Sequence, residues 1–328
     1  MNSVLAPRTE QMRITSRSKH YILFLIVYLI ARPSFAIEEV EYAKKLLSTN
    51  DAIRSQASHD LQQMSPRVRI PLIQPLIKEI KFQNNVYLRR CGVSALGLIG
   101  PDAPTEVQTN TVIPFLIDIL LQQGSQQRED SYEARSALAR FGKTAVPQLI
   151  SKFSSHGIDN LISSTLEINV QNDNKEIVSE LMQNLDNANA NIRKGVARSI
   201  RFMNSNHTEY VPKLIKAFNS PPNRTLRSDI ALIFVNLGSN AVLAAPSLIE
   251  GAQDKSDEYL RVLSVIALGQ FGMDYPKSLP VLIKALYDTS CGVKTNAMEA
   301  LVKIGTHEAL SAVEQYKKSD RYCELGDV

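Results

Sequence analysis

Few residues in this chain have both the type and the spacing to do chemistry. Ala137-Leu138-Ala139-Arg140-Phe141-Gly142-Lys143-Thr144 meets a relaxed phosphate-loop pattern, with Ala in place of the first Gly. A working phosphate loop needs a strand before it and a flexible Gly-rich turn whose N–H groups wrap the phosphates. Here the apolar spacing reads instead as the end of a helix. His307-Glu308 could supply metal ligands, whereas His59, His156 and His207 stand isolated, without ligand spacing. They read as surface or turn residues. Gly92-Val93-Ser94-Ala95-Leu96 lacks the last Gly of a nucleophile elbow. Cys91 sits at a packing position with no His predicted beside it, so a thiol nucleophile is not supported. No catalytic, cofactor or metal residue is assigned, and the chain reads as a non-enzyme.

The charged residues carry a different chemistry. Lys194, Arg198 and Arg201 fall at i, i+4 and i+7, which places them on one helix face. Arg90 and Arg140 fall on comparable rows of other helices. Together they would form a cationic stripe able to hold an acidic peptide or an anionic polymer. The plainer alternative is a solvated face balanced by nearby Glu and Asp.

The elements that must position these residues repeat. Val211–Gly238, Ala245–Gly272 and Leu279–Gly305 each read as a short apolar helix opened near a Pro, a polar turn, and a longer helix entered by an aliphatic–basic pair. Pro212, Pro246 and Pro280 are 34 apart, and Arg193, Arg227, Arg261 and Lys294 keep the same step within one residue. Pro at a helix start forfeits no intrahelical hydrogen bond, and Gly after the last turn can terminate it. Pro75–Gly100 is a further good copy, Ile53-Arg54 marks a first copy from about Val40, and Pro114–Gly142 has a longer turn. Val146–Val170 is degenerate, and Val178–Met203 completes the set. One pair cannot bury its apolar stripe alone, so neighbours must stack. The expected fold is all-α, a right-handed solenoid of about eight helix pairs over residues 37–318. His307–Lys318 should cap its end, with a loose tail at 319–328.

These copies resemble HEAT repeats, and their Ala-Leu-Gly-x-Ile-Gly and Ala-Leu-Gly-x-Phe-Gly endings are similar to the phycobilisome-lyase-like subgroup. The resemblance implies a ladder, in which an Asp in the turn and an Arg opening the second helix link adjacent repeats. Asp186, Asp254 and Asp288 match its acidic position, and Arg193, Arg227 and Arg261 its basic one, whereas Asn219 and Lys294 depart from it. The resemblance also implies scaffold or adaptor work with a protein partner bound on the concave face of the second helices. A lyase-like or modifying enzyme is the alternative. His307-Glu308 resembles the pairs of deoxyhypusine hydroxylase, a HEAT-repeat di-iron enzyme, but that site takes several pairs and one is present.

The first 36 residues read separately. Tyr21–Ala31 is an unbroken apolar run behind Arg13, Arg17 and Lys19, followed by Pro33-Ser34-Phe35-Ala36. That is the layout of a secretory signal cut after Ala36, since a membrane span needs roughly 20 apolar residues. An exported chain, periplasmic or secreted and monomeric, is expected. A retained segment would make it a membrane-anchored adaptor. Residues 1–36 hold five of the 37 Lys and Arg and one of the 33 acids, which leaves the remainder neutral and without a basic footprint for nucleic acid. Export permits a disulfide, and Cys291 and Cys323 could meet if the tail folds back on the last repeat.

Overall fold

The computed structural model describes residues 33–122, 127–153, 159–171, 174–201, 203, 205–220 and 226–319, and no strand occurs among them. Met1–Ala95 and Leu96–Val328 form two compact units. The apolar run 21–31 lies outside the described residues, and the first described helix begins at Pro33, ahead of the expected cut.

Within the first unit α1 (Pro33–Leu46) pairs with α2 (Asp51–Gln63), and α3 (Ile73–Phe82) leads into α4 (Val86–Ile99), which runs on into the second unit. Leu46, Leu61, Leu76 and Ile80 are almost wholly buried. A Cβ on Gly92 would stand 2.5 Å from the Ile80 side chain, so α4 packs on α3 at the distance only a glycine permits.

The second unit is an α-solenoid of stacked helix pairs. They are α5 (Ile113–Leu121) with α6 (Gln127–Ala139), α7 (Val146–Ser151) with α8 (Asp159–Gln171), and α9 (Lys175–Gln183) with α10 (Ala190–Ser199). After them come α11 (Val211–Asn219) with α12 (Arg227–Leu237), α13 (Ala245–Gly251) with α14 (Glu258–Phe271), and α15 (Leu279–Ala285) with α16 (Cys291–Ile304). α17 (His307–Lys317) lies against both helices of the last pair. Counting α1/α2 and α3/α4, the described residues hold the eight expected pairs and the final helix. The degenerate copy forms α7 and α8 like the rest.

Local chemistry explains the ends of these helices. Proline stands in the first turn of α5, α7, α11, α13 and α15. Asn50, Asn189, Asp257 and Ser290 cap second helices, each accepting a hydrogen bond from a first-turn N–H. Gly272 and Gly305 close α14 and α16 with φ of 53° and 69°, a region L-residues seldom adopt. Gly100 has the same place in the repeat but a different reason. It opens a short turn, and a Cβ there would lie 2.3 Å from the Phe141 ring.

The second helices form the tightly packed layer of this unit. α6 lies beside α8, α8 beside α10, α12 beside α14, and α14 beside α16. Small residues allow it: a Cβ on Gly97 would fall 2.6 Å from the Ala137 Cβ, and one on Gly269 would fall 2.4 Å from the Ala300 Cβ. The core fills the space between the layers, with Phe218 and Phe234 rings 6.0 Å apart and Tyr316 edge-on to Tyr287 at 5.8 Å.

Arg227–Gly251 is apolar enough over 25 residues to cross a membrane. It is two helices rather than one, turned at Gly238, where φ is 59°, and Ile230, Ile233, Phe234, Leu237 and Leu248 are buried in the solenoid core. The relaxed phosphate-loop segment is the end of α6 and the short turn Gly142–Thr144, with no strand before it.

One histidine departs from expectation. His207, read as a surface or turn residue, lies in the turn Ser205–Tyr210 but is fully buried, because that turn packs onto α11, α12 and the turn Gly238–Ala244. Its Nδ1 is 4.0 Å from Glu209. His59 is exposed, and His156 lies outside the described residues.

Candidate interaction surface

Two sets of charges are organised by the repeat. The first lies at the turn within each pair. The basic residue that opens a second helix donates back to its own turn: Arg54 to the Ser48 carbonyl at 2.6 Å, Arg89 to Gln83 at 3.0 Å, Arg193 to Asn187 at 2.7 Å, and Arg261 to Asp254 at 3.0 Å. Each satisfies a carbonyl of the turn that follows the first helix. Reach across repeats comes on top of this. Arg227 donates to Asp254 at 3.0 Å with its guanidinium 4.6 Å over the Phe218 ring, and Arg261 grips Asp288 with two bonds of 3.0 Å. These pairs are nearly desolvated, with side chains 15% and 8% exposed in the first and 9% and 16% in the second. Burial raises the Asp288 pKa, but the hydrogen bonds and charge of Arg261, with the Ser290 N–H and the Thr289 hydroxyl, outweigh it and hold that carboxyl below its ordinary value.

The other residues of this set are placed differently. Asn219, where the acidic residue is replaced, donates to the Ser247 hydroxyl of the next repeat at 2.9 Å. Asp186 is exposed at the end of the turn Asn184–Asp186, and Lys294 is half-buried at the start of α16. The acceptor carbonyls and the Asn or Asp caps were not anticipated. Their signal was present, since Asn50, Asn85, Asn189, Asp257 and Ser290 each stand four residues before the basic residue.

The second set runs across the faces of the second helices. Arg201 meets Glu167 of α8 at 3.0 Å, and Arg198 donates to Asn160 of α8 at 3.1 Å. Arg135 of α6, stacked 4.6 Å over the Tyr132 ring, also acts on Glu167. On the far side of α10, Asp229 of α12 feels Arg198, Arg201 and Lys194. The row therefore alternates in sign from helix to helix. Lys194 is exposed, Arg198 and Arg201 are half-buried, and Glu167 is 8% exposed. Burial raises the pKa of Glu167, opposed by the charge and hydrogen bond of Arg201 and by Arg135. Asp229 is likewise raised by burial, against Arg198, Arg201 and Lys194.

Lys194 and Arg198 lie on α10, but that helix ends at Ser199 and Arg201 falls in the turn after it, so the three do not share one helix face. All three act on Asp229, and Arg135 and Glu167 join them. Arg140 is exposed at the end of α6, and Arg90 is half-buried in α4 of the first unit. Glu167 escaped notice because it lies in the degenerate copy. The repeat period would have found it, since Glu167 of α8 and Arg201, just past the end of α10, are 34 residues apart and so meet across adjacent repeats.

No group of three or more His, Cys, Asp or Glu suited to a metal occurs among the described residues. Cys91 is a half-buried thiol, whereas Cys291 is in a disulfide. Cys323, the third cysteine, lies outside the described residues.

Residues 245–324 match the family model of HEAT repeats. That stretch contains α13 to α17, the last two pairs and the final helix. No curated protein matches the chain. Among solved structures, an engineered protein aligns at 17% identity over 85% of this chain and 82% of its own, with a TM-score of 0.44. Kap121p bound to Pho4p aligns at 13% identity over 89% of this chain, with a TM-score of 0.40. A Kap121p mutant aligns at 12% identity and a TM-score of 0.40. The chain spans 38% of the length of Kap121p in both structures.

Proposed function

We propose that this chain is a non-catalytic interaction scaffold, working outside the cytoplasm, that holds a protein partner along the faces of its second helices. The observation that carries the reading is the charged row over α6, α8, α10 and α12, where Lys194, Arg198 and Arg201 are gathered at α10 between Glu167 and Asp229. Rigid helices hold charges at fixed spacing, so a partner loses little freedom to meet them. HEAT repeats in the last pairs support scaffold work, because stacked pairs present extended surfaces. A photo-crosslinker at Leu161, exposed on α8 beside the Arg198–Asn160 contact, is expected to trap one partner saturably. One at Lys216, exposed on the first helix α11, is expected to trap none. Capture from Lys216 alone would overturn the placement.

Export is supported by the apolar run 21–31 behind three cations, and by the disulfide at Cys291, a bond that persists in oxidising compartments. The mature chain is expected to begin at Ile37, read by N-terminal sequencing. Alkylation of the denatured, unreduced protein should modify one cysteine of the three. A chain that keeps residues 21–31 in the membrane fraction would be an anchored adaptor instead. Three modified cysteines would remove the oxidised bond.

A further inference from the structure

We infer that Cys291 is bonded to Cys323, and that this bond straps the chain end to the last pair as the start of a ninth repeat. Oxidation then holds α17 in place, and reduction releases it. The chain has three cysteines, of which Cys291 is in a disulfide and Cys91 is a thiol, so within one chain Cys323 is the partner that remains. The repeat brings the two together. Ser290, which caps α16, donates its hydroxyl to Glu258 at the start of α14 at 2.6 Å, across a separation of 32 residues. Residues 32 apart at the entrances of successive second helices are therefore neighbours. Cys291 opens α16, and Cys323 follows it by 32.

The last turn of α17 supplies the reach. Tyr316 lies edge-on to Tyr287 at 5.8 Å, in the turn that leads from α15 to Cys291, and the Ser319 N–H and hydroxyl both donate to the Tyr316 carbonyl. The chain from Ser319 to Cys323 spans at most about 14 Å, and a disulfide needs its Cα atoms within about 7 Å. α17 packs on both helices of the last pair, as the first helix of a further repeat would. No second helix follows it among the described residues. Val302, one repeat on from Gly269, is 50% exposed, whereas Gly269 is crowded by Ala300 of the next second helix. The match to HEAT repeats runs to residue 324 and so takes in Cys323. α17 therefore ends the core without a second helix to hold it. A bond that closes the loop from Cys291 to Cys323 limits the freedom its residues gain on detaching. Reduction delivers one electron and one proton to each sulfur, while a dithiol reductant becomes its cyclic disulfide.

The test uses the mature chain. Proteolysis of the denatured, alkylated and unreduced protein is expected to give one linked species that joins the peptides of Cys291 and Cys323, with Cys91 alkylated. A disulfide-linked dimer through Cys291, or a bond that includes Cys91, would overturn the pairing. Amide exchange in α17 is expected to quicken about a hundredfold on reduction with dithiothreitol, and equally in Cys323→Ser, with α13 and α14 unchanged. Cys323 lies beyond the end of α17, so its replacement removes no residue of the packed helices. Cys91→Ser should match the parent in both linkage and exchange. Unchanged exchange in α17 after reduction would overturn the strap, and quickening of α13 and α14 to the same degree would overturn its local role. Neither readout involves a partner, so the strap stands or falls apart from the scaffold reading.

Discussion

Arg261→Met is expected to destabilise the last repeats by about 3 kcal/mol, because it strands a carboxylate in a nearly dry site. Asp288 would lose the two 3.0 Å bonds that offset its burial, and the Asp254 carbonyl would lose its donor. The double variant Arg261→Met/Asp288→Leu removes both charges and should recover most of the loss, since a buried pair replaced by apolar groups is close to neutral. Stacked repeats unfold piecewise, so the readout is amide exchange in α14 and α16 alongside urea unfolding. A double variant as weak as the single would mean the damage comes from lost packing of the arginine stem. The pair also gives a pH signature. The folded Asp288 carboxyl is depressed below its ordinary value, so its contribution is complete above the unfolded value near 3.9 and is lost as pH falls through the folded value. The last repeats should therefore weaken below about pH 4, and Asp288→Asn should flatten that part of the profile.

Gly269→Ala is the second large effect expected, and its direction runs against helix propensity. Alanine in a helix interior is favoured over glycine by about 1 kcal/mol. At this position the added Cβ would stand 2.4 Å from the Cβ and 3.1 Å from the Cα of Ala300. Neither atom can move by changing a rotamer, so α14 and α16 must separate along their most extensive contact. Overpacking of this kind costs about 1–3 kcal/mol, and a net loss of about 2 kcal/mol is expected. Ala300→Gly in the same chain clears the space and should restore stability toward the parent. Failure of that rescue would show that the helices do not meet at these two residues.

The repeat was readable because its signals are local. Apolar residues at helical spacing, Pro at helix starts and Gly at helix ends act within a few residues. They sufficed to place eight pairs and a final helix, including the weak copy at Val146–Val170. The Asn, Asp and Ser caps were equally local and equally visible, four residues ahead of each basic position. Glycine was only half readable. Gly272 and Gly305 serve through their positive φ, whereas Gly100, Gly195 and Gly269 serve because Phe141, Phe153 and Ala300 leave no room for a side chain. One residue type answers two needs, and only the neighbours distinguish them.

Sequence by itself determined the order of the elements and roughly where each pair begins, since apolar spacing and helix-start prolines act over one or two turns. Only the tertiary structure decided which charges are neutralised, which glycines are crowded, and that His207 is buried. Those outcomes depend on how far each second helix is rotated about its axis relative to a neighbour some 34 residues away. A rotation of one residue, 100°, carries a side chain from solvent into the layer. Arg201 therefore meets Glu167, and Asp229 closes the row from the other side, through packing that no single repeat contains.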